Sequence, residues 1–446
     1  MGDDTHEEIT AAVLLLAAED AEAAEDAGAA LEWICGEQGL AVLTQERIQD
    51  FCWYELPVKW MSGQEDPERV TAALARALDL LGLSRYAGIC RSQTTREVLA
   101  AYQAGTRDGL AAFRRASAAS GISPPDLPDF TWGEVMGWQE AAARSSAADY
   151  LELAVTSGDL IPGKRGWKAR QRELTRTHLD APRHELLGQS LATVILSERA
   201  ETWVAARRSP TRQRIAADVA NRLLHPVRLP ADAAADPLPR WRWMLGQFSH
   251  GVPLTQKGNL GRAFVQDNAE RFDWDLSRPP STEDELYDLH QLRHFAHALG
   301  LTRRAGRTLT LSPKGQRLVA DPGQLWHATA AALLRGNAFT EFIGEMFLAM
   351  LVSTDSLHAD EINETLEVAV GEEGFRDSRT ELPPGERDIS WAAQRTINLC
   401  RALGMLAADG SWPQRRYAFT PVGTSTALEA LRTRATGPRN FATSDH

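Results

Sequence analysis

The chain has 446 residues, 43% hydrophobic and 24% charged, and a net charge of −12. That length exceeds a single compact core and implies about three or four domains, and the composition is that of a globular chain rather than a disordered or membrane-embedded one. Fourteen acids against two bases in the first 60 residues carry the whole negative excess, so an acidic total does not exclude a local nucleic-acid surface elsewhere.

The apolar run Ala11–Ala18 (AAVLLLAA) lacks a basic leader and is followed by acids. It fits neither a secretory signal nor a membrane span, which leads to the expectation of a cytoplasmic protein without membrane contact. The four cysteines, Cys35, Cys52, Cys90 and Cys400, show no CxxC pairing and read as reduced, buried thiols. Apolar residues recur mostly at intervals of three and four, so helix dominates. Residues 1–117 are expected to hold an acidic N-terminal helix and a degenerate winged-helix-like unit, which starts with a short strand opening into a helix at GLAVLTQERIQDF (Gly39–Phe51). A helix stopping at a Leu-Gly pair comes next, in LARALDLLGLSRYAG (Leu74–Gly88). The Pro-rich break Ser120–Asp129 ends the region.

Residues 130–225 read as a basic, all-helical insert. Between Leu160 and Arg228 fourteen bases face six acids, with Trp167 and Trp203 as sparse aromatic company. The cluster Lys164, Arg165, Lys168, Arg170 and Arg172 is a candidate phosphate surface, because Lys and Arg gain affinity by releasing counterions from a polyanion. A solvated helix face, or a mate for the acidic N-terminus, explains the same charges equally well. Gly163–Gly166 (GKRG) superficially matches the GxxG loop of KH domains. Flanking strands are not evident, so a glycine-bounded turn before a basic helix is the simpler reading. Ala181–Arg199 resembles, over a short span, the closing segment of some antitoxins; its plainer reading is a helix-turn-helix pair.

After a second break, Pro226–Pro239, residues 236–335 carry GVPLTQKGNLGRAF (Gly251–Phe264), LRHFAHALGLTRRAG (Leu292–Gly306) and LTLSPKGQRLV (Leu309–Val319). The implied order is helix, short strand, helix, helix, two-stranded hairpin, trailing helix. In the last element Ser312 can cap the trailing helix and Pro313 can take its first position, where a missing N–H costs nothing. Residues 336–433 repeat the scheme with STDSLHADEINETL (Ser353–Leu366), INLCRALGMLAADG (Ile397–Gly410) and YAFTPVGTSTAL (Tyr417–Leu428), interrupted by a third break, Gly371–Glu386. Gly82, Gly300 and Gly404 each stand where a glycine would stop a helix. Residues 434–446 are expected to be a disordered tail. The fold class is therefore mainly α, with three tandem winged-helix-like units, the first of them degenerate, built of helices with short β-hairpin wings, plus an all-helical insert.

The strand followed by Leu-Thr, two residues and Gly resembles the wing exit of many bacterial winged-helix regulators. The larger unit, GVPLTQKGNL to LWHATAAALL, is similar to the helical repeat region of actinobacterial proteins in the plasmid ORF-three-like group. The β-rich domain that gives that group its name is not recognisable in this chain, so no function attached to it is carried over.

Arg303, Arg304, Arg307, Lys314 and Arg317 fall on the second wing and its exit helix, with no acid between Arg303 and Arg317. Wings often contact phosphates, which makes these five the best-defined nucleic-acid candidates. The third wing carries Arg415 and Arg416 but also Asp409. Against base reading stand acids at the starts of the would-be recognition helices: Glu65, Asp66 and Glu68; Glu283, Asp284, Glu285 and Asp288; Glu386 and Asp388. His290, His294 and His297 share one helical side and could hold zinc with His250 or His327, although histidines edging an apolar face without metal are commoner. No P-loop, dinucleotide fingerprint, HExxH or GxSxG is present, and nothing calls for a cofactor. The expectation is a non-catalytic, DNA-associated regulatory protein touching double-stranded DNA. The alternative is a scaffold, antitoxin-like or defence-associated, that docks a protein partner or a second copy of itself.

Overall fold

The computed structural model describes residues 2–60, 66–272, 278–377, 379–410 and 415–440. The chain is mainly helical and divides into two compact units, Met1–Ile195 and Leu196–Arg439. The division falls inside the stretch read from sequence as one basic insert.

The regular elements among the first unit's described residues are all helical, joined by loops that carry two isolated β-bridges, Leu127 with Phe130 and Pro182 with Ser190. It runs α1 (Gly2–Glu19), α2 (Ala21–Cys35), a 3-10 stretch (Gly36–Val42) and α3 (Gln45–Asp50), which continues as a wider π-type coil over Phe51–Trp60. Next come α4 (Pro67–Leu80), α5 (Ser84–Cys90), α6 (Gln93–Ala104), α7 (Thr106–Ala119), α8 (Trp138–Ser157) and α9 (Trp167–Asp180). Leu31, Ile34, Phe51, Leu74 and Leu78 centre its larger core. The acids of the N-terminus are partly spent here: Arg76 bridges Asp20 at 2.7 Å and Glu19 at 3.2 Å, and Arg69 holds Glu22 and Asp26. Buried Glu152 on α8 accepts from the Gln45 amide at 2.7 Å and from Arg85 and Tyr86 at 2.9 Å each, tying α8 to the start of α3.

The degenerate first copy carries no hairpin among the described residues. Gly82 does stop α4 with a positive φ of 73°, and the Leu83 amide bonds back to the Leu78 carbonyl at 2.8 Å. Gly300 and Gly404 stop their helices in the same way, with Leu301 bonding to Ala296 and Met405 to Cys400, both at 2.9 Å. The Leu-Gly pair is thus a helix stop common to all three places and not a mark of the whole repeat. The continuation differs: SRYAGICRSQTTREVL has no two-residue alternation, and Ser92 accepts from the Thr95 amide at 3.1 Å to start another helix. With no hairpin to pair with, the expected strand at Gly39 closes its backbone bonds locally as a 3-10 turn.

The second unit opens with α10 (Leu191–Ala205, which straddles the division), α11 (Pro210–Leu223) and α12 (Pro239–Gln247). It then holds two consecutive copies of the hairpin-bearing element. The first copy has β1 (Val252–Pro253), α13 (Arg262–Phe272), α14 (Tyr287–Ala298), β2 (Thr302–Ala305), β3 (Thr308–Leu311), α15 (Pro313–Ala320) and α16 (Pro322–Ala332). The second has α17 (Ala338–Val352), β4 (Leu357–His358), α18 (Ala359–Glu373), α19 (Glu386–Ala402), β5 (Leu406–Asp409), β6 (Arg416–Phe419) and α20 (Pro421–Thr436). Each copy makes a three-stranded antiparallel sheet with its last strand in the middle, β1-β3-β2 and β4-β6-β5. Both copies share one core that includes Trp241, Phe248, Phe347 and Leu431.

Two boundaries differ from the sequence expectation. The helix expected after the short strand does not open at Leu254-Thr255-Gln256: Thr255 closes a tight loop with Asn259, and α13 begins only at Arg262. The C-terminal tail begins later than residue 434, because α20 runs to Thr436 and Arg439 still donates to Thr202 at 3.1 Å. Residues 441–446 lie outside the described residues.

Candidate functional site

The exit of each hairpin is built alike. Ser312 Oγ accepts from the Gly315 amide at 3.0 Å and donates to the Gly300 carbonyl at 2.6 Å. Thr420 Oγ1 accepts from the Gly423 amide at 3.1 Å and donates to the Gly404 carbonyl at 3.2 Å. One hydroxyl thus caps the outgoing helix and ties it to the stop of the incoming one, and Pro313 or Pro421 fills the first helical position.

On this frame β2 pairs with β3 in the register Arg303↔Thr310 and Arg304↔Leu309. Successive strand residues point to opposite faces, so Arg303 and Arg304 flank the wing and do not form one patch. Arg304 lies over the turn at Gly258, with its Nε donating to the Gly306 carbonyl at 2.8 Å, and Arg307 reaches toward the Leu254 carbonyl at 3.5 Å. Exposed Lys257 occupies that same turn, so the structure adds it to the Arg304 and Arg307 edge. Its signal was available in the repeated GVPLTQKGNL segment. Lys314 is committed elsewhere: its Nζ donates to the Leu299 carbonyl at 2.9 Å, at the end of α14. Arg317 is exposed on α15. Among the described residues none of Arg303, Arg304, Arg307, Lys314 and Arg317 forms an ion pair with a carboxylate. On the hairpin of the second copy, Asp409 stands directly across the ladder from Arg416.

Several bases of the expected insert are neutralised at home. Arg170 pairs with Asp159 at 2.8 Å and Glu173 at 3.1 Å, Arg176 with Asp129, and Arg183 with Glu185. Arg212 is buried against Glu345 at 2.7 Å, and Arg207 meets Glu373. These partners are local or lie in the second unit, whereas Arg144, earlier in the insert, does meet an N-terminal acid, Glu46, at 2.9 Å. Lys164 and Arg165 are exposed in a turn between α8 and α9 bounded by Gly163 and Gly166, both with positive φ. Exposed Lys168 sits 5.7 Å from the Trp167 ring, and Arg172 is exposed. No strand accompanies this GKRG turn among the described residues.

The acids at the helix starts do structural work. Glu283 is fully buried, accepting from the Leu260 amide at 2.7 Å and from Arg293 at 2.6 Å. Hydrogen bonds from Ser281 hold the Glu285 carboxyl below its ordinary range. Asp66 accepts from Glu68 N at 3.0 Å and Asp388 from Gly385 N at 3.0 Å. Glu65 lies outside the described residues.

The helices that would read bases in a DNA-bound winged helix face each other. α14 packs against α19, and Arg401 holds Asp288 at 2.8 Å across the contact. Beside this contact is a cleft of about 520 Å³ between α14, α19 and the segment after α16. His290, His294 and His297 all line it. The His290 and His294 rings are 4.4 Å apart, and burial, then neighbouring cationic groups, push His294 below its usual value. Among the described residues no set of three metal-ligating side chains converges, and neither His250 nor His327 lines the cleft. His327 instead pairs with Glu429 at 3.1 Å. Arg335, Trp391 and Arg395 also line it; they lie far from the histidines in sequence and carried no local signal.

All four cysteines are buried and free of disulfides, with Cys52 Sγ donating to Cys90 Sγ at 3.8 Å, and burial raises Cys35 to about 11 and Cys400 to about 12, far from a reactive thiolate. No helix among the described residues is long and apolar enough to cross a membrane.

Residues 244–324 match the family model of the Y4jL N-terminal domain, a span that runs from α12 through the first hairpin to the start of α16. That family is what this part of the chain is similar to; the match does not reach the plasmid ORF-three-like group. Comparison with curated proteins and with solved structures finds no match.

Proposed function

We propose that the protein is a non-catalytic, cytoplasmic, DNA-associated regulator whose two helix-and-hairpin copies are winged helices. In this reading the first of them touches duplex phosphates through its wing. The carrying observation is the edge formed by Arg304, Arg307 and Lys257, with Arg303 on the other face and no ion pair to any wing base among the described residues. Base reading by α14 or α19 is not part of the proposal, because those helices pack on one another. Lys164, Arg165, Lys168 and Arg172 are a second candidate contact, whereas Arg170 and Lys314 are already engaged. Binding through phosphates alone is tolerant of sequence and steeply dependent on salt. A gel shift with a duplex at low salt tests it: a shift weakened by Arg303→Glu with Arg304→Glu supports the reading, and no shift removes it.

A second reading has its own observation. The α14–α19 contact turns the usual base-reading face into a protein–protein surface within one chain, which favours a scaffold that docks a protein partner or another copy. Absence of duplex binding together with a stable complex in sizing experiments would select it.

A further inference from the structure

The cleft between α14 and α19 has a chemistry that neither the wing nor the hydrophobic core uses. Its volume of about 520 Å³ lies within the ordinary range for small-molecule sites. Arg335 and Arg395 are both exposed at its rim, and among the described residues neither forms an ion pair. The guanidinium of Arg395 lies beside Gly336, which places the two arginines at one side of the opening. Among the described residues no Asp or Glu lines the cleft, although acids outnumber bases in the whole chain by 60 to 48. Two large aromatic side chains also open onto it: Trp391 is 65% exposed and Tyr287 is 46% exposed. Gln394 and His294 offer further polar atoms along the facing helices.

Each feature has a chemical counterpart. Two arginines without carboxylate partners suit a carboxylate, sulfonate or phosphate, for which the planar guanidinium gives paired hydrogen bonds. Open tryptophan and tyrosine faces suit a planar ring, which they can stack on while leaving its polar edge wet. We propose that this cleft binds a small aromatic anion, its ring against Trp391 and Tyr287 and its charged group held by Arg335 and Arg395. The site is separate from the wing and stands or falls independently of DNA binding.

Isothermal titration of the full-length protein tests this with salicylate and adenosine monophosphate, each beside its uncharged counterpart, salicylamide and adenosine. At least one anion binds, with its neutral counterpart about tenfold weaker or more. Arg335→Ala with Arg395→Ala weakens the anion by a similar factor, and Trp391→Ala weakens the anion and its counterpart together. All three substituted side chains are exposed, so the melting temperature should hold, and Arg303→Glu with Arg304→Glu should bind the anion as the parent does. Binding of neither anion, or binding unchanged in both cleft variants, overturns the proposal.

Discussion

The carbonyl of Met405 stands where a side chain on Gly423 would have to go, and the carbonyl of Leu301 stands over Gly315 in the same way. Neither glycine needs a left-handed backbone; each is required because the exit helix lands directly on the first strand of its wing. The Met405 carbonyl also accepts from the Thr420 amide at 2.9 Å, and that of Leu301 from Ser312 at 2.8 Å, so neither carbonyl can retreat without losing a ladder bond. Gly423→Ala and Gly315→Ala should therefore each destabilise by about 2–4 kcal/mol in chemical denaturation. Gly371→Ala, in a helix with open space around it, should be neutral or slightly stabilising.

Buried charge in the second unit makes a different demand. Arg212 donates to Glu345 through Nε at 2.9 Å and Nη2 at 2.7 Å, while its Nη1 reaches the Trp203 and Val204 carbonyls at 2.6 and 2.7 Å. Trp203 Nε1 and Arg434 Nε hold the other Glu345 oxygen. Glu345→Ala strands the buried Arg212 guanidinium, while Arg434 keeps Glu341 at 2.8 Å, and should cost about 3–5 kcal/mol, read as a lowered denaturation midpoint. Arg212→Met with Glu345→Leu should cost less than the single change, because no buried charge is left alone.

Asp50 gives the first unit a pH signature. Burial, then the charge of Glu46, raises its carboxyl from 3.8 to about 6. A raised folded-state value means that the protonated form is favoured by folding. The associated stability is present in full below pH 3.8 and is lost as the pH rises through about 6. Asp50→Asn should match the parent in acid and become more stable above pH 6. The gain should be on the order of 1–2 kcal/mol, read from urea midpoints across that range. A gain that is constant with pH would rule this out.

Much of the second unit was legible in the sequence because its signals are local. Ser312-Pro313-x-Gly315 and Thr420-Pro421-x-Gly423 announce cap, helix start and close approach within four residues, and the alternation before each gives the strand. The first unit misled because its Leu-Gly stop shares the local chemistry of Gly300 and Gly404 but lacks the alternation after it. The charges were harder to read. Composition grouped Arg170, Arg176, Arg207 and Arg212 with the open bases, and only tertiary contacts with Asp159, Asp129, Glu373 and Glu345 separate them. The cleft was invisible for the same reason: its arginines and Trp391 meet α14 only through the packing of two repeats.

Wing contact with duplex phosphates is tested most sharply by the affinity of a fluorescently labelled duplex, followed by anisotropy from about 50 to about 200 mM salt. Parent protein is compared with Arg303→Glu, Arg304→Glu. Parent binding should be present at low salt and fall steeply as salt rises. Variant binding should be weaker, with a log–log salt slope shallower by about 2, for the phosphate contacts removed. Equal affinity and equal slope in both proteins, or no binding at the lowest salt, would contradict a DNA-touching wing.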